Sequence, residues 1–148
     1  MTSASSIDGP SQRDGFSNYT VGHGAHGTAG RYRTGIDEAF CYITTRGRRT
    51  GRPHTIEIWF AAGSPTTIYA LAGGRERADW VRNVLADPAV AVRIGEREGG
   101  ATGRVVEEGT DEDARARRLL VAKYQSPGAT DLEGWGRSAL PVAFDLGF

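Results

Sequence analysis

A short run of arginines, glycines and threonines is the segment of this sequence best suited to binding an anionic ligand. The run spans residues 44–54, and four Arg and two Gly fall within residues 46–52. No Asp or Glu lies between Glu38 and Glu57 to neutralise these charges. Gly lets the backbone turn its N–H groups toward a ligand, and Arg offers forked donors to anionic oxygens. The segment predicts a phosphate cradle, with an exposed hairpin or a short nucleic-acid patch as the alternatives.

A second candidate is the pair Gly73-Gly74 together with the helix predicted after it. Paired Gly at the end of a strand permits a flat ring to approach the backbone closely, and a helix N-terminus favours anions. A plain strand-to-helix turn is the alternative, and for these residues alone it is the stronger interpretation. Trp80, on the face of that helix, is more typical of a core residue than of a cofactor partner.

The sequence has little other equipment for chemistry. His occurs only at His23, His26 and His54, which excludes a Ser/His/Asp set, and no Cys/His cluster has the spacing of metal ligands. The sequence contains neither a P-loop nor a dinucleotide-binding Gly fingerprint. An enzyme built this way would depend on a coenzyme, with the protein supplying orientation and electrostatics.

Composition narrows the class of protein. The 148 residues include 18 basic and 18 acidic side chains, which argues against a general nucleic-acid binder. The only cysteine, Cys41, lies in an apolar run and is expected to pack in the core. We expect a cytoplasmic protein, because no intrachain disulfide can form and no apolar stretch has the length of a membrane span.

The chain is expected to have two parts. Residues 1–35 hold seven Gly and five Ser with scattered apolar residues, which predicts a flexible tail. Residues 36–148 are regular enough for one domain. A polar loop is expected from Gln125 to Ser138.

Hydrophobic alternation and turn residues predict short strands and two helices within that domain. The strands are expected at 40–45, 55–60, 67–72, 90–94, 101–106 and 140–146, and the helices at 76–86 and 111–124. Short turns between the first three strands suggest an antiparallel meander. The whole pattern predicts a mainly β fold, a small β-barrel with helical insertions.

Three blocks of this sequence resemble the deazaflavin-dependent nitroreductase family. They read "ITTRGRRTGRPHTIEIWF", "ALAGGRERADWVRNVLADPAVAVRIG" and "LPVAFDL", and the likeness covers about residues 36–146. That family belongs to the split β-barrel flavin and deazaflavin oxidoreductases, which are related to pyridoxamine-phosphate oxidases and include FMN-binding members. The resemblance implies a split β-barrel that passes a hydride from reduced deazaflavin, coenzyme F-420, to a quinone, a nitroaromatic or an activated alkene.

The resemblance also implies a set of site residues. The loop expected to grip the phosphate end of the coenzyme comprises Thr45, Arg46, Gly47, Arg48, Arg49, Thr50 and Gly51. The residues expected near the ring are Gly73, Gly74 and Trp80. A proton for the acceptor could come from water or from Tyr124.

Several alternatives remain open at this point. The same fold could serve an FMN-dependent reductase or oxidase, or a carrier that binds a flavin or deazaflavin without turnover. A homodimer is expected, because a small split barrel leaves an apolar face uncovered. Trp59 and Glu57, on the face opposite Ile56 and Ile58, are the candidate interface residues.

Overall fold

The computed structural model describes residues 38–125 and 132–148. The predicted tail of residues 1–35 lies outside the described residues, as does segment 126–131 of the predicted polar loop. None of the helices in the described part of the chain is both long and apolar enough to cross a membrane.

A single antiparallel sheet dominates the described residues, which confirms the mainly β prediction. Its strands are β1 Cys41–Arg46, β2 Pro53–Ile58, β3 Ala61–Ser64, β4 Thr67–Ala72, β5 Ala89–Ile94, β6 Arg97–Val105 and β7 Leu140–Leu146. Their order across the sheet is β2-β1-β5-β6-β7-β4-β3, with every neighbouring pair antiparallel. The strands predicted at 67–72 and 140–146 have the observed bounds.

The two edge strands of this sheet are consecutive in the chain. β2 ends at Ile58 and β3 begins at Ala61, so only Trp59 and Phe60 separate opposite edges. A flat sheet of this many strands would be about 29 Å across at roughly 4.8 Å per spacing, whereas three Cα steps reach at most about 11 Å. The sheet must therefore curl until its edges approach each other, as in a barrel.

This bend corrects three expectations. The strand predicted at 55–60 ends early, and β3 pairs with β4 at the far edge, so the meander of the first three strands is wrong. Trp59 was expected on the exposed face beside Glu57, but it is 3% exposed and stacks on Tyr124 with ring centroids 4.2 Å apart. Trp59 is therefore a core residue and leaves the candidate dimer interface.

Within residues 38–125 and 132–148, three helices and one tight turn accompany the sheet. They are a 3-10 turn Arg75–Arg77, α1 Asp79–Ala86, α2 Asp111–Tyr124 and α3 Glu133–Ser138. The bounds predicted for α2 are confirmed. Its N-cap is Thr110, whose hydroxyl accepts a hydrogen bond from the backbone N–H of Asp113 at 3.1 Å. The helix predicted at 76–86 is divided between the 3-10 turn and α1.

The third helix lies inside the segment predicted as a polar loop. Gly134 and Gly136 give α3 a low intrinsic helix propensity, which is why the pattern did not indicate it. The guanidinium of Arg117 donates to the carbonyl of Gly136 at 2.9 Å, and that of Arg75 donates to the carbonyl of Ser138 at 2.6 Å. Cations at a helix C-terminus are stabilising, so these contacts from outside the helix compensate for its weak propensity.

Hydrophobic clusters cover both faces of the curled sheet. The inner cluster fills the barrel, and α1 closes it with the buried side chains Trp80, Val81 and Val84. The outer cluster lies between α2, which contributes Leu120, and strands β3, β4 and β7. Cys41 belongs to the inner cluster, and burial raises the pKa of its thiol to about 12, so it stays protonated.

A charged network fastens α2 to the outer face of the sheet. Arg104 on β6 donates two hydrogen bonds to Glu112 at 2.9 Å each and one to Asp145 on β7 at 2.8 Å. The Tyr69 hydroxyl donates to the same Glu112 carboxylate at 2.8 Å. The bonds from Arg104 hold the pKa values of both carboxyl groups below their usual range.

This network predicts an acid-sensitive part of the stability. Because the folded-state pKa values of Glu112 and Asp145 are lowered, their contribution is complete above the ordinary carboxylate range of about 4 and is lost as pH falls through the folded values. We expect Arg104→Gln to flatten the fall in unfolding free energy between about pH 5 and 2 in urea titrations. Arg118→Gln, which removes an exposed charge from α2, is the control. An unchanged pH slope in Arg104→Gln would contradict this assignment.

Candidate functional site

A cleft of about 450 Å³ opens between the β1–β2 loop, residues 47–52, and helix α1. This volume is within the usual range for small-molecule sites. Its lining residues are Gly47, Arg48, Arg49, Thr50, Arg52, His54, Ile56, Asp79, Trp80, Arg82 and Asn83.

Short internal hydrogen bonds give the loop a defined shape. The backbone N–H of Gly47 donates to the carbonyl of Arg52 at 2.7 Å, and the N–H of Gly51 donates to the carbonyl of Gly47 at 2.8 Å. Gly51 has φ +78°, a left-handed conformation that favours glycine. The hydroxyl of Thr50 accepts from the N–H of Arg52 at 3.1 Å. The loop is therefore a closed turn whose side chains project from a fixed backbone.

Gly47 is also needed for a close approach. A Cβ at this position would lie 2.7 Å from Nε2 of His54. His54 belongs to β2 and pairs with Thr45 on β1, so its ring lies directly against the base of the loop. A larger residue at position 47 would push the ring into the cleft.

Arg48 is tied to helix α1 at two points. Its Nη1 and its backbone N–H both donate to Oδ1 of Asn83, at 2.9 and 3.2 Å. Its Nη2 lies 3.4 Å from Oδ1 of Asp79. The loop and the helix thus form one unit, with the guanidinium held along the wall of the cleft.

The cleft has a positive excess among its described lining residues. Its cations are Arg48, Arg49, Arg52 and Arg82, and its single carboxylate is Asp79. Guanidinium groups match the geometry of phosphate and carboxylate oxygens. Ile56 and Trp80, which are 6% and 1% exposed, contribute small apolar surfaces to the same cleft. The arrangement is suited to a ligand that has both a flat apolar part and several negative charges.

Comparison with known proteins identifies the family. The family model described as F-420H2-dependent quinone reductase, where F-420H2 is the reduced coenzyme, matches residues 18–146. The chain belongs to this family. It is therefore an enzyme of the reductase class that uses the deazaflavin coenzyme F-420, as the resemblance implied.

Solved structures show that the fold is the predicted one. An F-420-H2 dependent reductase has a TM-score of 0.57 at 21% identity, covering 72% of this chain and 93% of that one. A pyridoxamine 5′-phosphate oxidase homologue from Listeria innocua has a TM-score of 0.56 at 14% identity, covering 80% and 93%. A structure described as a domain-swapped dimer has a TM-score of 0.57 at 20% identity, covering 85% and 98%. The split β-barrel prediction is confirmed.

Four of the loop residues that the resemblance implied for the site lie together in the structure. Gly47, Arg48, Arg49 and Thr50 line the cleft. Gly51 belongs to the same loop but contributes its turn conformation and does not line the cleft.

Thr45 and Arg46, the two residues before the loop, do not line the cleft. Thr45 is buried beneath the cleft, where its hydroxyl accepts a hydrogen bond from Nδ2 of Asn83 at 3.1 Å. Arg46 points away from the cleft, with its side chain 68% exposed and its Nε 3.4 Å from Oδ2 of Asp87. Thr45 therefore supports the site from below, and Arg46 does not face it.

The residues expected near the coenzyme ring are more dispersed. Gly73 and Gly74 form an exposed turn after β4 that leads toward α1 and does not line the described cleft. Trp80 borders the cleft, but it is 1% exposed and its ring lies 6.2 Å from that of Phe144 in the inner core. Its main contribution is to the packing of α1 against the barrel.

Tyr124 lies outside the cleft altogether. It is buried in the outer cluster, and its hydroxyl donates to the carbonyl of Ala39 at 2.5 Å. The same hydroxyl accepts from the backbone N–H of Phe60 at 3.0 Å. These bonds satisfy backbone groups just before β1 and at the bend between β2 and β3. The role of Tyr124 is therefore structural.

The site residues that the resemblance implied did not include five polar residues of the cleft, namely Arg52, His54, Asp79, Arg82 and Asn83. Arg52 and His54 nevertheless belong to the basic run of residues 44–54 that predicted the phosphate cradle. Asn83 had a subtler signal. It lies three residues after Trp80 and directly before Val84, so a polar amide occurs on the buried face of α1. A buried amide must find partners, which marks the position as special.

Tyr124→Phe separates the structural role of this residue from a catalytic one. Loss of the hydroxyl leaves backbone groups at the bend without their partner, so we expect a stability loss of about 1–3 kcal/mol in urea unfolding. The rate of quinone reduction by folded protein should stay within about twofold of wild type, whereas loss of a general acid typically costs about a hundredfold or more. A rate loss of that size with unchanged stability would restore Tyr124 as the proton donor.

Proposed function

We propose that this protein transfers a hydride from reduced coenzyme F-420 to a quinone, a nitroaromatic or an activated alkene. Its membership of the F-420H2-dependent quinone reductase family supports the coenzyme and the class of reaction. The acceptor classes are our extension. Turnover is favoured over the carrier alternative because the family is one of reductases.

The observation that carries this proposal is the mixed chemistry of the cleft. Coenzyme F-420 combines a flat deazaflavin with a phosphodiester and a carboxylate-bearing tail. Arg49, Arg52 and Arg82 would contact the anionic tail, and Ile56 would contact the apolar ring system. Thr50, whose hydroxyl oxygen accepts from the N–H of Arg52, still has its own proton to donate to an anion. The residues present therefore fit the coenzyme.

The protein contributes mainly orientation to the reaction. Reduced deazaflavin supplies a hydride, which together with one proton completes the two-electron reduction of a quinone to a hydroquinone. The loop, a closed turn tied to α1, would hold the anionic end of the coenzyme and thereby confine its other end. No proton transfer is assigned to Tyr124, because its hydroxyl is bonded to backbone on the other side of the sheet. In this mechanism the proton comes from water.

The proposed function is tested by comparing the binding of F-420 with that of FMN and FAD. F-420 presents several negative charges over a longer path, whereas FMN ends in one phosphate that one or two Arg could satisfy. We therefore expect fluorescence titration to show tighter binding of F-420 than of FMN or FAD, and F-420H2 oxidation to depend on an added quinone. Tighter binding of FMN would replace the proposal with the FMN-dependent alternative.

Two arginines of the basic run of residues 44–54 provide a matched pair for this titration. Arg52 lines the cleft, whereas Arg46 points outward to Asp87. A charge-assisted hydrogen bond is worth roughly 1.5–3 kcal/mol, and exposure places Arg52 at the lower end, so Arg52→Gln should weaken F-420 binding about tenfold. Arg46→Gln removes the same charge and should cost clearly less. Equal losses in both variants would indicate a general charge effect in place of a specific contact.

We also propose that the protein is a homodimer. A structure of similar fold is described as a domain-swapped dimer, which supports association in this fold. Trp59 is excluded from the interface by its burial, but the outer faces of β2 and β5 expose uncharged small residues at Thr55, Ala89 and Ala91. Sedimentation should show a dimer at micromolar concentration that Ala91→Glu weakens. A wild-type monomer would overturn the proposal.

A further inference from the structure

The buried amide of Asn83 connects helix α1 to strand β1 and to the β1–β2 loop. Asn83 is 4% exposed, and its Nδ2 donates to the hydroxyl of Thr45 at 3.1 Å. Its Oδ1 accepts from the backbone N–H of Arg48 at 3.2 Å and from Nη1 of the same residue at 2.9 Å. Both polar atoms of this side chain are therefore used, one on strand β1 and the other on the loop.

These bonds hold the backbone and the guanidinium of Arg48 in place. A free Arg side chain loses rotamer entropy when a ligand immobilises it. Asp79 alone would hold Arg48 weakly, because the carboxylate is half exposed and 3.4 Å away. Asn83 fixes both the backbone and the head of Arg48 before any ligand arrives. The rotamer entropy of Arg48 is therefore lost during folding and not during ligand binding.

The amide of Asn83 also affects the charge of the cleft differently from a carboxylate. A carboxylate at position 83 would hold the guanidinium firmly, but it would neutralise the charge that attracts an anion. The amide oxygen holds Nη1 of Arg48 without adding a second negative charge to that of Asp79, which lies 3.4 Å from Nη2. Of the five N–H donors of a guanidinium, the bonds to Asn83 and Asp79 occupy two, so three remain for ligand oxygens.

We propose that Asn83 is a positioning residue for the coenzyme: it pre-orders Arg48 toward the anionic part of the coenzyme without adding negative charge to the cleft. This inference rests on the proposed function and extends it to a residue that acts through Arg48. It predicts that changes at the two positions are coupled, and that charge at position 83 matters as much as hydrogen bonding.

A double-mutant cycle with F-420 as the probe tests the coupling. Asn83→Leu keeps a similar volume, and Arg48→Met keeps a long apolar stem without the guanidinium. We expect Asn83→Leu to raise the F-420 dissociation constant about tenfold in the wild-type background and less than about threefold in the Arg48→Met background. The remaining effect would come from the lost backbone bond. An equal factor in both backgrounds would overturn the proposal.

Asn83→Asp tests the role of the amide. This variant retains an acceptor for Arg48, so a merely structural role would leave F-420 affinity unchanged. We expect instead a loss of about tenfold at low salt and a weaker dependence of affinity on ionic strength, because the excess positive charge is reduced. Wild-type affinity and an unchanged salt dependence in Asn83→Asp would overturn the proposal.

Two further readouts separate positioning from general destabilisation. Val84→Ala removes buried surface from the same helix without touching the loop, so it should lower the melting temperature while leaving F-420 affinity within about twofold. In quinone reduction, Asn83→Leu should raise KM for F-420H2 with kcat within about twofold, since the loop holds the tail and not the ring. A wild-type protein that binds no F-420 would overturn the proposed function. Normal wild-type binding with an uncoupled cycle would overturn only this inference.

Discussion

The two-residue connection between opposite edges of the sheet is the constraint on which the rest of the structure depends. Trp59 and Phe60 lie between β2 and β3, so the sheet has to curl, and their side chains enter different cores. At such a bend the backbone polar groups have left one ladder and not yet joined the next. The last turn of α2 satisfies them. The hydroxyl of Tyr124 accepts from the N–H of Phe60 at 3.0 Å, and Lys123 donates to the carbonyl of Phe60 at 2.8 Å.

The cleft follows from this closure. A curled sheet has an interior that must be filled, and α1 closes it with Trp80 and neighbouring apolar residues. The helix also runs directly into β5, which pairs with β1, so the loop at the end of β1 comes to lie beside α1. Asn83 and the Arg48 contacts then unite them. Packing thus places the helix, and polar contacts add the geometry that an anionic ligand needs.

Features that depend on residues close in sequence could be predicted, whereas features that depend on partners distant in sequence could not. β5, β7 and α2 were predictable because alternation, helical spacing and the Thr110 cap are local signals. The pairing of β3 with β4 at the far edge, the burial of Trp59 and helix α3 depend on distant partners, which local patterns do not encode. The composition of the Arg/Gly loop indicated a phosphate cradle but left an exposed hairpin and a nucleic-acid patch open, and the family resemblance then favoured the cradle. The orientation of Arg46 and the anchoring role of Asn83 required the tertiary positions of Asp87 and of α1.

The position of β7 in the sheet affects how the chain can acquire its structure during synthesis. β7 pairs with β6 on one side and β4 on the other, so without it the strands fall into two separate groups, β2-β1-β5-β6 and β4-β3. It is also the last of the described strands to leave the ribosome. Pairs such as Thr67 with Asp145 are distant in sequence, and such non-local contacts form slowly. The nascent chain must therefore hold two incomplete sheets, with unpaired edges, until β7 joins them.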